Sequence, residues 1–294
     1  MSRGNSNKKS LPERWKKEIE KTGKFFEQKI AVMVQKSGFG YVVPNYAFSD
    51  IEEGGTRELD IFAISARRIG RKWNFIFPVL LIAVTKKALV CFTREEMMSI
   101  YTLGDIHFSG MPKTIYYKGE QYTLSEFLNL DRFHHYYKYP RISSQFWIPP
   151  QGKKSNRETT QDYLYKWLIL PLIKAIISEK EAHEKEWFFD PEEEPINLQL
   201  YYPIIVVEEL WECGMTPSKP VYSQVDSIGF VFHSAGEKTG GDYIIDICTE
   251  AGLKRLLKTI DKEADKIVDK IKKQRKVFEN SAFAEARKRE IIKK

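Results

Sequence analysis

Three residues have the types and spacing to do chemistry together. Asp60 lies in the apolar run Glu58–Ser65, Lys86 closes the run Val79–Lys86, and Glu27 sits at the margin of the apolar face of an earlier helix. A carboxylate inside such a strand needs a partner if it is buried. The turn signal Ile69-Gly70-Arg71-Lys72 suggests that the two runs form a hairpin centred near residue 72. Asp60 would then oppose Val84, and Lys86 shares the face of residue 84 because side chains alternate along a strand. Glu27 would be delivered by the helix. The product would be a carboxylate-lined site for a cation, with an ammonium beside it. Ordinary roles also fit these residues. Glu27 could be a surface glutamate, Asp60 could pair with Arg57 or Lys86, and Lys86 beside Lys87 could mark a strand end.

The elements that must position these residues can be read from hydrophobic period. A helical stretch runs from Leu11–Pro12 to Lys36, with a break at Thr22–Gly23; Phe26, Ile30 and Met33 recur at helical spacing. Strands are expected at Tyr41–Phe48, Glu58–Ser65 and Val79–Lys86. A fourth is expected at Leu89–Phe92, and later ones at Tyr202–Val207, Ile228–Ser234 and Tyr243–Cys248. Arg94–Tyr101 and Tyr122–Leu130 read as helices. Thr160–Ser178 does too, kinked or restarted at Pro171. From residue 251 to about 278 one long helix carries the stripe Leu253, Leu257, Ile260, Ala264, Ile267 and Ile271.

Gly23-Lys24-Phe25-Phe26-Glu27, Arg57-Glu58-Leu59-Asp60-Ile61-Phe62-Ala63 and Leu81-Ile82-Ala83-Val84-Thr85-Lys86 together resemble the PD-(D/E)xK nuclease superfamily, the fold of many restriction enzymes and Mrr-like endonucleases. The likeness is detailed over residues 22–92. It implies an α/β fold: a restriction-endonuclease-like mixed sheet flanked by helices, with a long helical insertion and a long C-terminal helix. It further implies an endodeoxyribonuclease, a phosphodiester hydrolase that uses Mg²⁺. In that family, acids at the positions of Asp60 and residue 84 hold the ion, the lysine at position 86 orients or deprotonates water, and the glutamate at position 27 supports the metal shell. Hard Mg²⁺ prefers oxygen ligands and activates a bound water. This chain departs from the pattern at Val84, which cannot bind a metal. A displaced carboxylate, Glu58, Glu95 or Glu96, could substitute; otherwise the chain is a degenerate relative that kept the fold and lost the reaction.

Charge is segregated. Residues 251–294 carry a net +8 and residues 1–24 a net +5, leaving residues 25–250 at −6 of the overall +7. Basic ends suit phosphate contact, and they are equally common as solvated surfaces. DNA is the expected partner, and a homodimer is compatible with cutting two strands. The alternative is a non-catalytic protein-interaction scaffold on the same fold. Cys91, Cys213 and Cys248 form neither a zinc pattern nor a disulfide framework. With a polar start and no long apolar span, a cytoplasmic protein without membrane contact is expected.

Residues 1–10 read as a tail, 11–278 as one domain with an insertion at about 94–200, and 279–294 as a basic tail. Ala235-Gly236-Glu237-Lys238-Thr239 lacks the spacing of a phosphate-binding loop and reads as a strand connection. Phe133-His134-His135-Tyr136-Tyr137 could stack bases or cap a core. Its adjacent histidines should point apart on a helix or strand, making a poor metal pair. Arg67, Arg68, Arg71 and Lys72 would form a basic hairpin tip.

Overall fold

The strand between residues 75 and 85 has a run too apolar for one solvated face, and the fold buries it on both. The computed structural model describes residues 11–69, 75–94, 106–111, 114–149, 165–186, 197–215 and 219–278. In chain order the helices are α1 (Glu13–Lys21), α2 (Lys24–Lys36), α3 (Leu124–Leu128), α4 (Leu170–Glu186) and α5 (Glu250–Lys273). The first strands are β1 (Tyr41–Ser49), β2 (Thr56–Ile64), β3 (Arg67–Arg68), β4 (Phe75–Thr85) and β5 (Leu89–Arg94). Next come β6 (Phe108–Ser109), β7 (Thr114–Tyr117), β8 (Glu120–Thr123) and β9 (Ile142–Trp147). The last are β10 (Asn197–Val207), β11 (Leu210–Met215), β12 (Pro220–Gln224), β13 (Ser227–Ser234) and β14 (Gly241–Cys248).

Among the described residues, twelve strands form one mixed sheet in the order β1-β2-β4-β10-β14-β13-β9-β5-β11-β12, with β3 beside β4 and β6 beside β10. β1, β2 and β4 make an antiparallel meander. β10 then pairs with β4 in parallel from Asn197↔Phe75 to Val207↔Thr85, and β14 joins β10 in parallel. A parallel return needs a crossover, which α4 helps to build across one face. Continuous apolar runs in β4 and β10 follow from helices on both faces.

α2, α3 and α5 bury Ile30, Val34, Leu128, Leu253, Ile260 and Ile267 on one face. α4 buries Leu172, Ile173 and Ile176 on the other. The molecule is therefore a three-layer α/β arrangement.

Several expectations change. The described part of the insertion is not helical throughout: β9 from it pairs with β13 and β5 in the main sheet, and β7 pairs with β8 separately. Tyr122–Leu130 is helical only over Leu124–Leu128, capped by a Thr123–Glu126 box. Pro171 is the second residue of α4, following a π-helical turn at Tyr165–Ile169, where a missing N–H costs little. The expected helix 94–101 lies outside the described residues, apart from Arg94 at the end of β5.

The hairpin register is one residue off the expected one. β2 and β4 pair Ile61↔Ile82 and Ile64↔Val79, a frame in which Asp60 does not oppose Val84. The facing of β2 also resets at Asp60. Ile61 and Ala63 pack into the α2/α5 core, whereas Phe62 and Leu59 both pack into the α4 core. Across the β1–β2 pair the break falls at Asn45, whose φ of +50° lies between the pairs Pro44↔Ile61 and Tyr46↔Leu59. A left-handed residue in a strand interrupts the pleat, and Asn tolerates that conformation better than most. The reset turns Asp60 towards the start of α2, where Lys24 and Glu27 act on it.

Candidate functional site

Gly23, at φ +83°, lets the chain turn between α1 and α2, and so sets Lys24 and Glu27 in the first turn of α2. A carboxylate there is favoured by the helix dipole. Lys24 Nζ donates to Glu27 Oε2 at 2.7 Å and to Asn45 Oδ1 at 3.4 Å. Asp60 Oδ2 accepts the backbone N–H of Val84 at 2.7 Å. Burial raises the Asp60 pKa above the usual carboxylate value. The Val84 amide opposes that, Glu27 and Glu58 push it further up, and Lys24 pulls it down. The Lys24 ammonium is in turn held protonated, chiefly by its hydrogen bond to Glu27.

The structure thus brings together Glu27, Glu58, Asp60 and Val84, and it adds Lys24, which sequence reading had not assigned. It does not bring Lys86 into the cluster. Lys86 Nζ donates to the carbonyl of Glu20 in the last turn of α1, where carbonyls lack helical partners. Neither anticipated salt bridge to Asp60 forms: Arg57 bonds Asp50 and Glu53 instead. Glu95 and Glu96 lie outside the described residues.

Two of these carboxylates each have one oxygen already engaged. Asp60 spends one oxygen on the Val84 amide, Glu27 spends one on Lys24, and position 84 offers a methyl surface in the core. Among the described residues, Glu27, Glu58 and Asp60 are not gathered as a three-residue group with ligand atoms within 4.8 Å. No step of a metal-assisted hydrolysis can be derived from this geometry.

A second polar cluster is fully buried, and sequence reading missed it. His134 precedes the 3₁₀ turn His135–Lys138, and the two imidazoles do not point apart: their rings stack 4.7 Å apart at 18°. Periodicity arguments for helices and strands fail because neither element is present there. His135 donates its backbone N–H to Glu263 Oε1 at 2.6 Å. Its Nδ1 lies 2.9 Å from Glu263 Oε2, and its Nε2 lies 3.2 Å from Asp246 Oδ2. Tyr139 donates its hydroxyl to Asp246 Oδ1.

Burial disfavours the imidazolium of His135, but Asp246 and then Glu263 outweigh burial and hold its pKa at about 10. Burial, with the His135 charge, pushes His134 well below its ordinary value. The buried His134 Nε2, Tyr136 hydroxyl and Tyr202 hydroxyl have no hydrogen-bond partner among the described residues.

A usable signal existed in the sequence. Glu263 falls on the apolar stripe of α5, and Asp246 interrupts Ile244-Ile245-Asp246-Ile247. A carboxylate on a buried face always requires partners.

Two weaker motifs are also placed. The segment 235–239 joins β13 to β14 and is tied to the β1–β2 connection through Lys238 Nζ to the Ile51 carbonyl at 2.7 Å and Thr239 Oγ1 to Glu52. It is a strand connection, as its spacing implied. Arg67 of the expected basic tip is bound to Asp261 and Asp265 of α5, and Arg71 and Lys72 lie outside the described residues. No described helix is long and apolar enough to cross a membrane. Comparison with known proteins found no matching family model, no similar curated protein and no similar solved structure.

Proposed function

We propose that this chain is a nucleic-acid-binding protein on a restriction-endonuclease-like fold, a degenerate relative in which Mg²⁺-dependent hydrolysis has been lost. The observation that carries the reading is the bond from the Val84 amide to Asp60 at 2.7 Å. Asp60, Glu27 and residue 84 meet where the resemblance places a metal site, yet the position that should supply a second carboxylate supplies a backbone N–H. The meander β1-β2-β4 followed by a parallel β10, with α2 and α4 on opposite faces, is in keeping with that fold.

Nucleic-acid binding is supported by the exposed face of α5, which carries Lys254, Arg255, Lys258, Lys262, Lys266 and Lys273. Between α2 and α5 runs a groove of about 900 Å³ lined by Lys29, Lys36, Lys254 and Lys258 against only Glu250 and Asp261. Lysines on such a groove suit a phosphate backbone, with affinity that falls steeply as salt rises.

The test is anisotropy of fluorescent duplex and single-stranded DNA across a salt series, with a cleavage assay in Mg²⁺ and Mn²⁺. Binding with a steep salt slope, reduced in Lys254→Ala/Lys258→Ala, and no cleavage is the expected result. Cleavage abolished by Asp60→Ala would establish the active-nuclease reading instead.

The scaffold reading has its own support in an apolar surface on β5, β9, β11 and β12. There Phe92, Trp147 and Tyr222 are each more than 40 % exposed around a hollow also lined by Val90 and Trp211. Absence of DNA binding at low salt would favour it.

A further inference from the structure

We propose that His134, His135 and Glu263 form a binding site for one transition-metal ion of the zinc class. One ligand atom from each of the three residues lies within 4.8 Å of the other two, and we assign these as His134 Nε2, His135 Nδ1 and Glu263 Oε2. Glu263 Oε2 is 2.9 Å from His135 Nδ1 and 3.7 Å from His134 Nε2. Those distances bracket the roughly 3.3 Å that separates ligands placed about 2.0–2.1 Å from a tetrahedral ion. Two imidazoles and a carboxylate select zinc, cobalt or nickel over Mg²⁺ and Ca²⁺, which prefer all-oxygen shells.

The surroundings are those a metal site needs. His135 Nε2 faces Asp246, which the Tyr139 hydroxyl holds in turn, giving the carboxylate–histidine–metal arrangement that fixes a ligand ring. Glu263 Oε1 is occupied by the His135 amide, which directs Oε2 towards the imidazoles. His134 is completely buried and its Nε2 has no hydrogen-bond partner among the described residues. The hydroxyls of Tyr136 and Tyr202 are likewise buried and unpartnered. The Tyr202 ring lies parallel to that of His134, with centroids 5.8 Å apart. One of these hydroxyls, or a water held by them, would complete four-coordination. Asp246 and Glu263 also place two carboxylates almost entirely out of water, and a divalent cation between neutral imidazoles cancels both charges.

The ion replaces the proton that His135 Nδ1 shares with Glu263, and that proton leaves to solvent. Binding at His134 Nε2 moves the remaining proton of that ring to Nδ1, giving up the 3.3 Å contact from the Tyr136 amide. Uptake therefore releases protons and weakens in acid. When bound, the ion ties the turn at residues 134–135 to α5, a link across 128 residues of chain.

The experiment is titration of the chelator-stripped full-length chain with Co²⁺, followed by visible absorption and melting temperature. One equivalent should give the ligand-field bands of a four-coordinate N/O site, raise the melting temperature and be displaced by Zn²⁺ but not by Mg²⁺. Asp60→Ala should leave the titration unchanged, which separates this site from the carboxylate cluster at α2. Asp246→Asn should weaken binding by about 10–100-fold, and His134→Gln and Glu263→Gln by more. The wild-type titration decides even if a variant fails to fold: no saturable Co²⁺ spectrum overturns the proposal. So does a spectrum that persists unchanged in folded His134→Gln and Glu263→Gln proteins.

Discussion

At the scale of single residues, position 84 determines what the α2 cluster can do. Valine there offers no ligand atom, and its amide meets part of the demand of Asp60. Val84→Glu would put a second acid in a nearly buried position beside an Asp60 whose pKa Glu27 and Glu58 already push up. In chelator it should therefore lose about 2 kcal/mol or more of stability. If the proposed relationship to metal-dependent nucleases holds, Mg²⁺ should recover part of that loss in the variant and do nothing for the wild type, as read by thermal melts with and without the ion. Asn45 offers a second check. Its φ of +50° sits at the break in the β1–β2 pairing beside Asp60, so Asn45→Val should cost about 1–2 kcal/mol and Asn45→Gly much less, measured by urea denaturation. Asp60 itself was legible from its apolar neighbours. Lys24 was not, because nothing local distinguishes it from the other lysines of the first helices.

At the scale of elements, α4 is anchored by an ion pair inside the structure. Lys174 is fully buried and donates to both oxygens of Asp50 at 2.9 Å, and Arg57 closes the same carboxylate. Lys174→Met leaves that carboxylate without its buried partner and should cost about 3–5 kcal/mol. The same pair makes a pH signature. Burial alone would raise the Asp50 pKa, but the Glu53 amide, Lys174, the Glu52 amide and Arg57 together depress it far below the usual carboxylate range. A depressed acid contributes stability that is fully present above its unfolded value of about 3.9 and is lost as pH falls through the folded one. Urea midpoints should fall below about pH 4 in the wild type, with that component missing from Asp50→Asn. In α5 the apolar stripe was readable from its period, and Ile260→Ala should cost about 2–5 kcal/mol by cavity formation. In the insertion β9 was missed because it is short and has no complete alternation; its strand character comes from pairing with β13 and β5.

At the scale of the whole molecule, one sheet runs from β1 to β12 and carries both polar clusters, the half-buried one at α2 and the fully buried one under α5. Its outer basic face and its aromatic end point to different kinds of partner, and the salt series separates them. Hydrophobic period, glycine placement and residue type were enough to indicate the α/β class, the three strands of the meander, the long last helix and a carboxylate at Asp60 in need of a partner. These are short-range properties, set by side-chain burial within one element. The registers, the reset at Asn45, the diversion of Lys86 to Glu20 and the meeting of His134, His135, Asp246 and Glu263 were settled only by assembly. His135 and Glu263 are 128 residues apart, and no local pattern encodes which distant carboxylate will meet a given imidazole. That pairing follows from how the layers close over the sheet, where each buried polar group must find its partner or remain without one.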